Sequence, residues 1–375
     1  MRIAGVYWYG FGVPFKRRYV TADAASVTRY GAIVFLRSDD GLVGVGEASP
    51  VGPGSREQIE TIAETLESRS TRLVGGDTSH ALLNELGLSG PVHFGLETSL
   101  LDMEGKASGR SVAGLLGGHP RPLPVNALIA SLNPGEAVEE AVASLAQGFT
   151  SLKLKVAQGS PDRDEELVAA VRAAVGAGVR LRLDANQGWN TSVMAIEALQ
   201  RLSAYDIQYV EQPVPAGDVA GLARVRQSVS IPIAADEAVA SMEDLVRVLT
   251  AEAADTIIIK AARLGGLYSS LEIAHTAFQR GKSVVVTSSL ESGVGVAAGA
   301  HLAWALPETS LDQGLATGVL LECDLLTRPF LPSKGGLPPL RGPGLGVQVD
   351  TALLKEYGIG IRGGTDSGDD WILGG

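Results

Sequence analysis

Six ionisable side chains sit at or near the ends of short apolar runs in the middle of the sequence. Lys153 and Lys155 lie in Leu152-Lys-Leu-Lys-Val156, Asp184 follows Leu181-Arg-Leu183, and Glu211 follows Ile207-Gln-Tyr-Val210. Asp236 follows Ile231-Pro-Ile-Ala-Ala235, and Lys260 follows Thr256-Ile-Ile-Ile259. From Lys155 onward the separations are 29, 27, 25 and 24 residues. Each is the length of one strand-plus-helix unit, so the spacing predicts that these side chains gather at one rim of a repeated βα structure. Three carboxylates meeting there would repel one another and take up protons unless a cation neutralised them. Three oxygen donors without sulfur or imidazole suit a hard ion, Mg2+ or in its place Mn2+. Lysines facing such an ion can act as base and acid toward a carboxylate substrate. The α-proton would pass to a lysine, and positive charge would stabilise the enediolate left behind.

Taken singly, each residue has an ordinary structural explanation. Lys153 and Lys155 alternate with apolar neighbours, as on the wet face of an antiparallel strand. Asp184 could cap a helix, and Glu211 before Gln212-Pro213 could belong to a turn. Lys260 fits such explanations least, because the run before it reads as buried on both faces. Order and phase together favour chemistry.

The elements that must carry these residues read as eight strands near 124–130, 151–156, 180–184, 207–211, 231–236, 255–260, 283–288 and 310–313, separated by amphipathic stretches of helical length. That alternation predicts a barrel of the (β/α)8 type over 119–324. A doubly wound open sheet would carry a Gly-rich phosphate turn after its first strand, and Ala130-Ser-Leu-Asn-Pro134 is not one. Before the barrel, residues 1–118 read as a mixed α+β domain. It has a hairpin around Ser38-Asp-Asp-Gly41 and helical patterns at 55–73, 77–87 and 91–108. The Pro/Gly-rich text from about 325 is expected to return over this first domain, and 363–370 reads as a mobile tail. The stretch 16–30 gives no readable pattern.

The ordered set Lys153-x-Lys155, Asp184-Ala-Asn186-Gln-Gly-Trp189, Val210-Glu-Gln-Pro213, Ala235-Asp-Glu237 and Ile259-Lys260 resembles the enolase superfamily, in its muconate-lactonizing subgroup. The resemblance implies a modified (β/α)7β TIM-type barrel with an α+β capping domain. It also implies one Mg2+ on Asp184, Glu211 and Asp236, with Lys155 as base then acid, Lys153 supporting it and Lys260 facing the other side of the enediolate. Within the subgroup, Thr287-Ser288-Ser289-Leu-Glu-Ser292 and Asp312-Gln-Gly314 look most like the o-succinylbenzoate synthases. Muconate cycloisomerase, dipeptide epimerase and N-succinylamino acid racemase are the alternatives, and a carboxylate-binding barrel without catalysis is the non-enzyme alternative. Dipeptide epimerases usually carry Asp-x-Asp where this chain has Asp312-Gln-Gly314. The synthase reading makes Ser288, Ser289, backbone near Gly314, and Asn186 the substrate contacts, and lets Lys16-Arg17-Arg18 attract a dianion, with a solvated hairpin face as the equal alternative.

Composition bounds these readings. The 375 residues carry 31 Lys plus Arg against 42 Asp plus Glu, a formal charge of -11, and a pI near 5.0. Such a surface disfavours a nucleic-acid backbone. One cysteine, Cys323, excludes an intrachain disulfide or a multi-thiolate metal site. No run has the length and apolarity of a membrane span or a secretory leader, so a cytoplasmic protein without a membrane partner is expected. A small-molecule carboxylate is the expected ligand, no cofactor beyond the metal is indicated, and a homo-oligomer is compatible with the sequence.

Overall fold

The computed structural model describes residues 1–20, 25–78, 80–88 and 90–365. An antiparallel sheet forms from β1 (Ile3–Val20), β2 (Ala25–Ser38) and β3 (Val43–Ala48), joined at its edge by the C-terminal strand Gly358–Gly364. The β1–β2 hairpin accounts for most of the 16–30 stretch. Val13, Phe15 and Tyr19 turn inward while Lys16, Arg17 and Arg18 stay exposed, and the register shifts between Pro14 and Tyr19. Residues 21–24 lie outside the described residues. The helix Gly90–Ser108 lies directly on β3, where a Cβ at Gly46 would stand 2.0 Å from the Gly95 carbonyl oxygen. Only glycine permits that approach.

The second sheet holds seven parallel strands: β4 (Ala127–Ile129), β5 (Ser151–Lys155), β6 (Arg180–Asp184), β7 (Ile207–Glu211), β8 (Ile233–Ala235), β9 (Thr256–Ile259) and β10 (Ser283–Val286). Their order in the sheet is their order in the chain. Helices between them are seated by side-chain caps such as Ser160, Thr191 and Ser241, each accepting a first-turn N–H that would otherwise lack a partner. Thr191, not Asp184, caps the helix after β6. The expected eighth strand at 310–313 does not form. The seam between β10 and β4 is closed by two bridging pairs, Val125 with Gln313 and Thr287 with Gly314. Two residues suffice to close the curled sheet but are too few for a ladder.

Downstream, Gly344 exchanges backbone hydrogen bonds with Arg110 and Val112, and Leu345 N–H donates to Asp102 Oδ1 at 2.7 Å. Gly363 and Gly364, expected in the tail, are paired with Trp8 and Tyr7 of β1; residues 366–375 lie outside the described residues. No helix among the described residues is long and apolar enough to cross a membrane.

Candidate active site

The parallel register aligns Lys155 with Asp184 and Asp184 with Glu211, so the strand ends deliver their charges to one mouth. There they meet across strands. Lys153 Nζ lies 2.9 Å from Asp184 Oδ2 and 2.7 Å from Glu211 Oε2. Lys155 Nζ donates to Asn186 Oδ1 at 2.5 Å, stands 3.9 Å from Asp184 Oδ2, and faces the Tyr19 ring at 5.7 Å. Lys260 Nζ lies 2.5 Å from Asp236 Oδ2 and 4.0 Å from Glu211 Oε1. Lys155 and Lys260 come from strands four apart around the sheet, which puts them on opposing walls.

A cavity of about 320 Å³ opens above this cluster, lined by all three lysines, Asp184, Asn186, Thr287, Ser288, Ser289 and Gly314, with Tyr19 and the 51–53 loop on the cap side. Every proposed site residue therefore reaches this one region, Glu211 and Asp236 from fully buried positions beneath it. The contacts expected from the seventh strand differ in kind. Ser288 Oγ is engaged with Thr317 Oγ1 at 2.5 Å, whereas Ser289 Oγ is buried without a partner among the described residues. The Gly314 N–H donates to the Val286 carbonyl and its carbonyl accepts from Ser288 N–H, so Gly314 shapes the wall and offers no backbone donor. Lys16 and Arg17 instead hold the Val319 carbonyl and Glu140 at the surface, and none of Lys16, Arg17 and Arg18 lines the cavity.

Electrostatics follow from four acids, Asp184, Glu211, Asp236 and Glu237, packed against four bases, Lys153, Lys155, Lys260 and Arg263. Burial lifts the pKa of Glu211 to about 8 against the pull of Lys153, and like-charged Asp184 and Asp236 add to the rise. Burial would raise Asp236 as well, but Arg263 and Lys260 overrule it and hold that carboxyl far below the usual range. Asp184 is likewise lowered, its burial outweighed by Lys153 and Lys155. Burial opposes the charge on Lys153 and Lys260, yet the adjoining carboxylates raise both above the ordinary ammonium value.

Among the described residues no group of three or more His, Cys, Asp or Glu is closed around one point, because the ammonium groups of Lys153 and Lys260 stand between the carboxylates. The residues nonetheless fit a hard divalent cation. All three donors are buried carboxylates, and Glu211 Oε1 has no hydrogen-bond donor among the described residues, which costs free energy that a cation would recover. A divalent ion would also leave the mouth with surplus positive charge, suited to an anionic ligand.

Sequence reasoning missed several contributors. Arg263, three residues after Lys260, pairs with Asp236 Oδ1. Gln212 Oε1 accepts from Asp236 N–H and Ala238 N–H at 3.0 Å each, so the residue after one carboxylate positions the next. Glu237 meets Asn186 Nδ2 at 3.4 Å. The Glu211-Gln-Pro and Asp236-Glu motifs held the signal for the last two; Arg263 had none.

Comparison with known proteins adds a second line. The mandelate racemase / muconate lactonizing enzyme N-terminal domain matches residues 13–117, and the enolase C-terminal domain-like family matches 136–353. The chain is 42% identical over 248 residues to an o-succinylbenzoate synthase of Thermobifida fusca, covering 64% of this chain and 74% of the relative. It is 28% identical over 371 residues to an N-succinyl-L-Arg/Lys racemase of Bacillus cereus, covering 96% and 98%. A crystal structure of a dipeptide epimerase from Cytophaga hutchinsonii, complexed with Mg and D-Ala-L-Val, superimposes with a TM-score of 0.89 at 25% identity, covering 98% of this chain and 100% of the other.

Proposed function

The chain belongs to the enolase superfamily, and we propose that within it the protein is a Mg2+-dependent o-succinylbenzoate synthase, a carbon–oxygen lyase serving menaquinone biosynthesis. Asp184, Glu211 and Asp236 would hold the ion, which when bound supplies Lewis-acid neutralisation of charge on the substrate carboxylate. Lys155 takes the α-proton of a cyclohexadiene carboxylate. The electron pair left behind spreads into the carboxylate as an enediolate, facing Lys260 on the opposite wall and Lys153 below. Lys155 then returns its proton to the departing hydroxyl. One C–H and one C–O bond break, water leaves, and the ring becomes aromatic as 2-succinylbenzoate. Aromatisation drives the elimination, so the site needs mainly to orient the ring and stabilise the enediolate. Asn186 Oδ1 accepts from Lys155 Nζ and fixes it at the rim, and Tyr19 covers it.

One observation carries the choice of a ligand without a free ammonium. Asp312, the first residue of the last-strand motif, turns to the far end of the barrel, where its Oδ2 accepts from Ser151 Oγ at 2.6 Å and Arg180 Nη2 at 2.8 Å. Gly314 follows with no side chain. The seam wall thus presents no acid to an amino group, which supports a succinyl-bearing substrate over a dipeptide. The racemisation of N-succinylamino acids is the second reading, favoured by the near full-length match to the racemase. Turnover of the cyclohexadiene carboxylate with Mg2+, followed in the ultraviolet, is the test. Formation of 2-succinylbenzoate is the expected result, and a folded protein giving none while exchanging the α-proton of an N-succinylamino acid replaces the first reading by the second.

A further inference from the structure

We propose that Asn126 is a substrate-positioning residue, held in one orientation by Arg182, and that with Thr287 it forms a notch at Gly314 that takes the far carboxylate of the ligand's side chain. The proposal rests on the reading above only in that the ligand carries a succinyl group.

The seam places the three positions side by side. Val125 pairs with Gln313, so Asn126 stands beside Gly314, whose other neighbour is Thr287. Side chains in register on parallel strands share a face, and all three residues line the cavity. A Cβ at position 314 would lie 2.6 Å from the Thr287 methyl. Position 314 must therefore stay bare, and the seam between Asn126 and Thr287 stays open to the cavity. Thr287 Oγ1 is buried there without a partner among the described residues, and a hydroxyl without a partner in that position waits for an acceptor.

Arg182 decides which way the Asn126 amide faces. Its guanidinium is fully buried and can only donate. Nη1 donates to Asn126 Oδ1 at 3.1 Å and to the Asp312 carbonyl at 2.6 Å, while Nε donates to Gln208 Oε1 at 2.7 Å. With its oxygen committed to Arg182, Asn126 turns Nδ2 the other way, where its acceptor among the described residues is the adjacent Ala127 carbonyl at 3.3 Å. The donor is thus nearly free at the cavity wall. No carboxylate among the described residues pairs with Arg182; its partners are neutral oxygens and the Tyr209 ring, 5.0 Å away. A cation without an ion-pair partner among the described residues, beneath one free donor and one weakly engaged donor, favours an anionic oxygen above them. The cavity's own carboxylates, Asp184 and Glu237, belong to β6 and to the loop after β8, away from the seam.

The test compares binding of 2-succinylbenzoate with 2-acetylbenzoate, which keeps the ring carboxylate and ketone but lacks the far carboxylate, by calorimetric titration of the full chain with Mg2+. The wild type is expected to prefer the succinyl ligand by about tenfold or more, the worth of hydrogen bonds to a charged group. Asn126→Ala should bring the two ligands within about twofold. Asn126→Asp, which keeps shape and gains an ion pair with Arg182, should fold at least as well and reverse the preference. Arg182→Met should lower the preference by freeing the amide. A wild type without preference, or a preference kept in both Asn126 variants, overturns the proposal. Failure of synthase turnover with the preference intact removes the lyase reading and leaves the notch standing.

Discussion

The two ends of the barrel handle charge in opposite ways. At the closed end Asp312 has a simple set of partners, Ser151 and the partly exposed Arg180, and its demands are met within the protein. At the open end the carboxylates of Asp184, Glu211 and Asp236 divide among Lys153, Lys155, Lys260 and Arg263, all under burial, and Glu211 still has an oxygen without a donor. At the closed end no oxygen of Asp312 is buried without a donor among the described residues, and the unpartnered buried atom there is a donor, Arg180 Nε. The open end is held together by charges that each have another use, and a cation with an anionic ligand completes it. Stability belongs to the first and chemistry to the second.

Substitutions at either end should therefore separate the two properties. Lys155→Ala is expected to lower kcat by about a thousandfold or more, the range of a lost general base, with little change in thermal midpoint; turnover near wild type would remove the base assignment. Away from the mouth, His301 accepts from Ala113 N–H at 3.0 Å and meets the Leu345 carbonyl at 2.9 Å through its other nitrogen. That arrangement requires the neutral ring, and burial holds its pKa down at about 4. The unfolded chain binds the extra proton first, so stability should fall as pH drops from about 6.5 through about 4, by about 3 kcal/mol in all. Denaturant midpoints at pH 7 and pH 4 check this, and His301→Gln should remove its share of the difference, leaving that of His80, which burial also lowers to about 4.

Adding Mg2+ should raise the thermal midpoint, by about 2.7 kcal/mol of stability at a hundred times its dissociation constant. Asp236→Asn should abolish that gain; an equal shift in the variant would place the ion elsewhere. The smallest effect is expected at the closed end, where Asp312→Asn should cost about 1–2 kcal/mol by weakening its bonds to Arg180 and Ser151, with kcat unchanged. A loss of kcat there would show that the two ends are not separable.

The barrel was legible because its five middle strands repeat one physical pattern, an apolar run closed by a charge, and that pattern also set the phase of Asp184, Glu211, Asp236 and Lys260. Legibility failed where tertiary contact replaces pattern. The segment after Ser310 closes the sheet with two pairs, through Gln313 and Gly314, too little backbone to impose a strand composition. The β1–β2 hairpin hid behind Pro14 and Lys16-Arg17-Arg18, whose outward faces read as loop while Phe15 and Tyr19 supplied the buried one. Arg263 sits on the short helix after Lys260 and is aimed at Asp236 only by the fold. Asn126 is one amide just before the three-residue strand β4, and its orientation comes from Arg182, distant in sequence.

Proton exchange reports most directly on whether the mouth enolises a carbon acid. Wild-type protein with Mg2+ in heavy water, offered the cyclohexadiene carboxylate and an N-succinylamino acid, should remove the proton next to the carboxylate of at least one, seen as product formation or as deuterium at that carbon, and Lys155→Ala should do neither. A folded, Mg2+-loaded wild type that leaves both carbon acids untouched would contradict the assignment of the mouth as a site of enolisation.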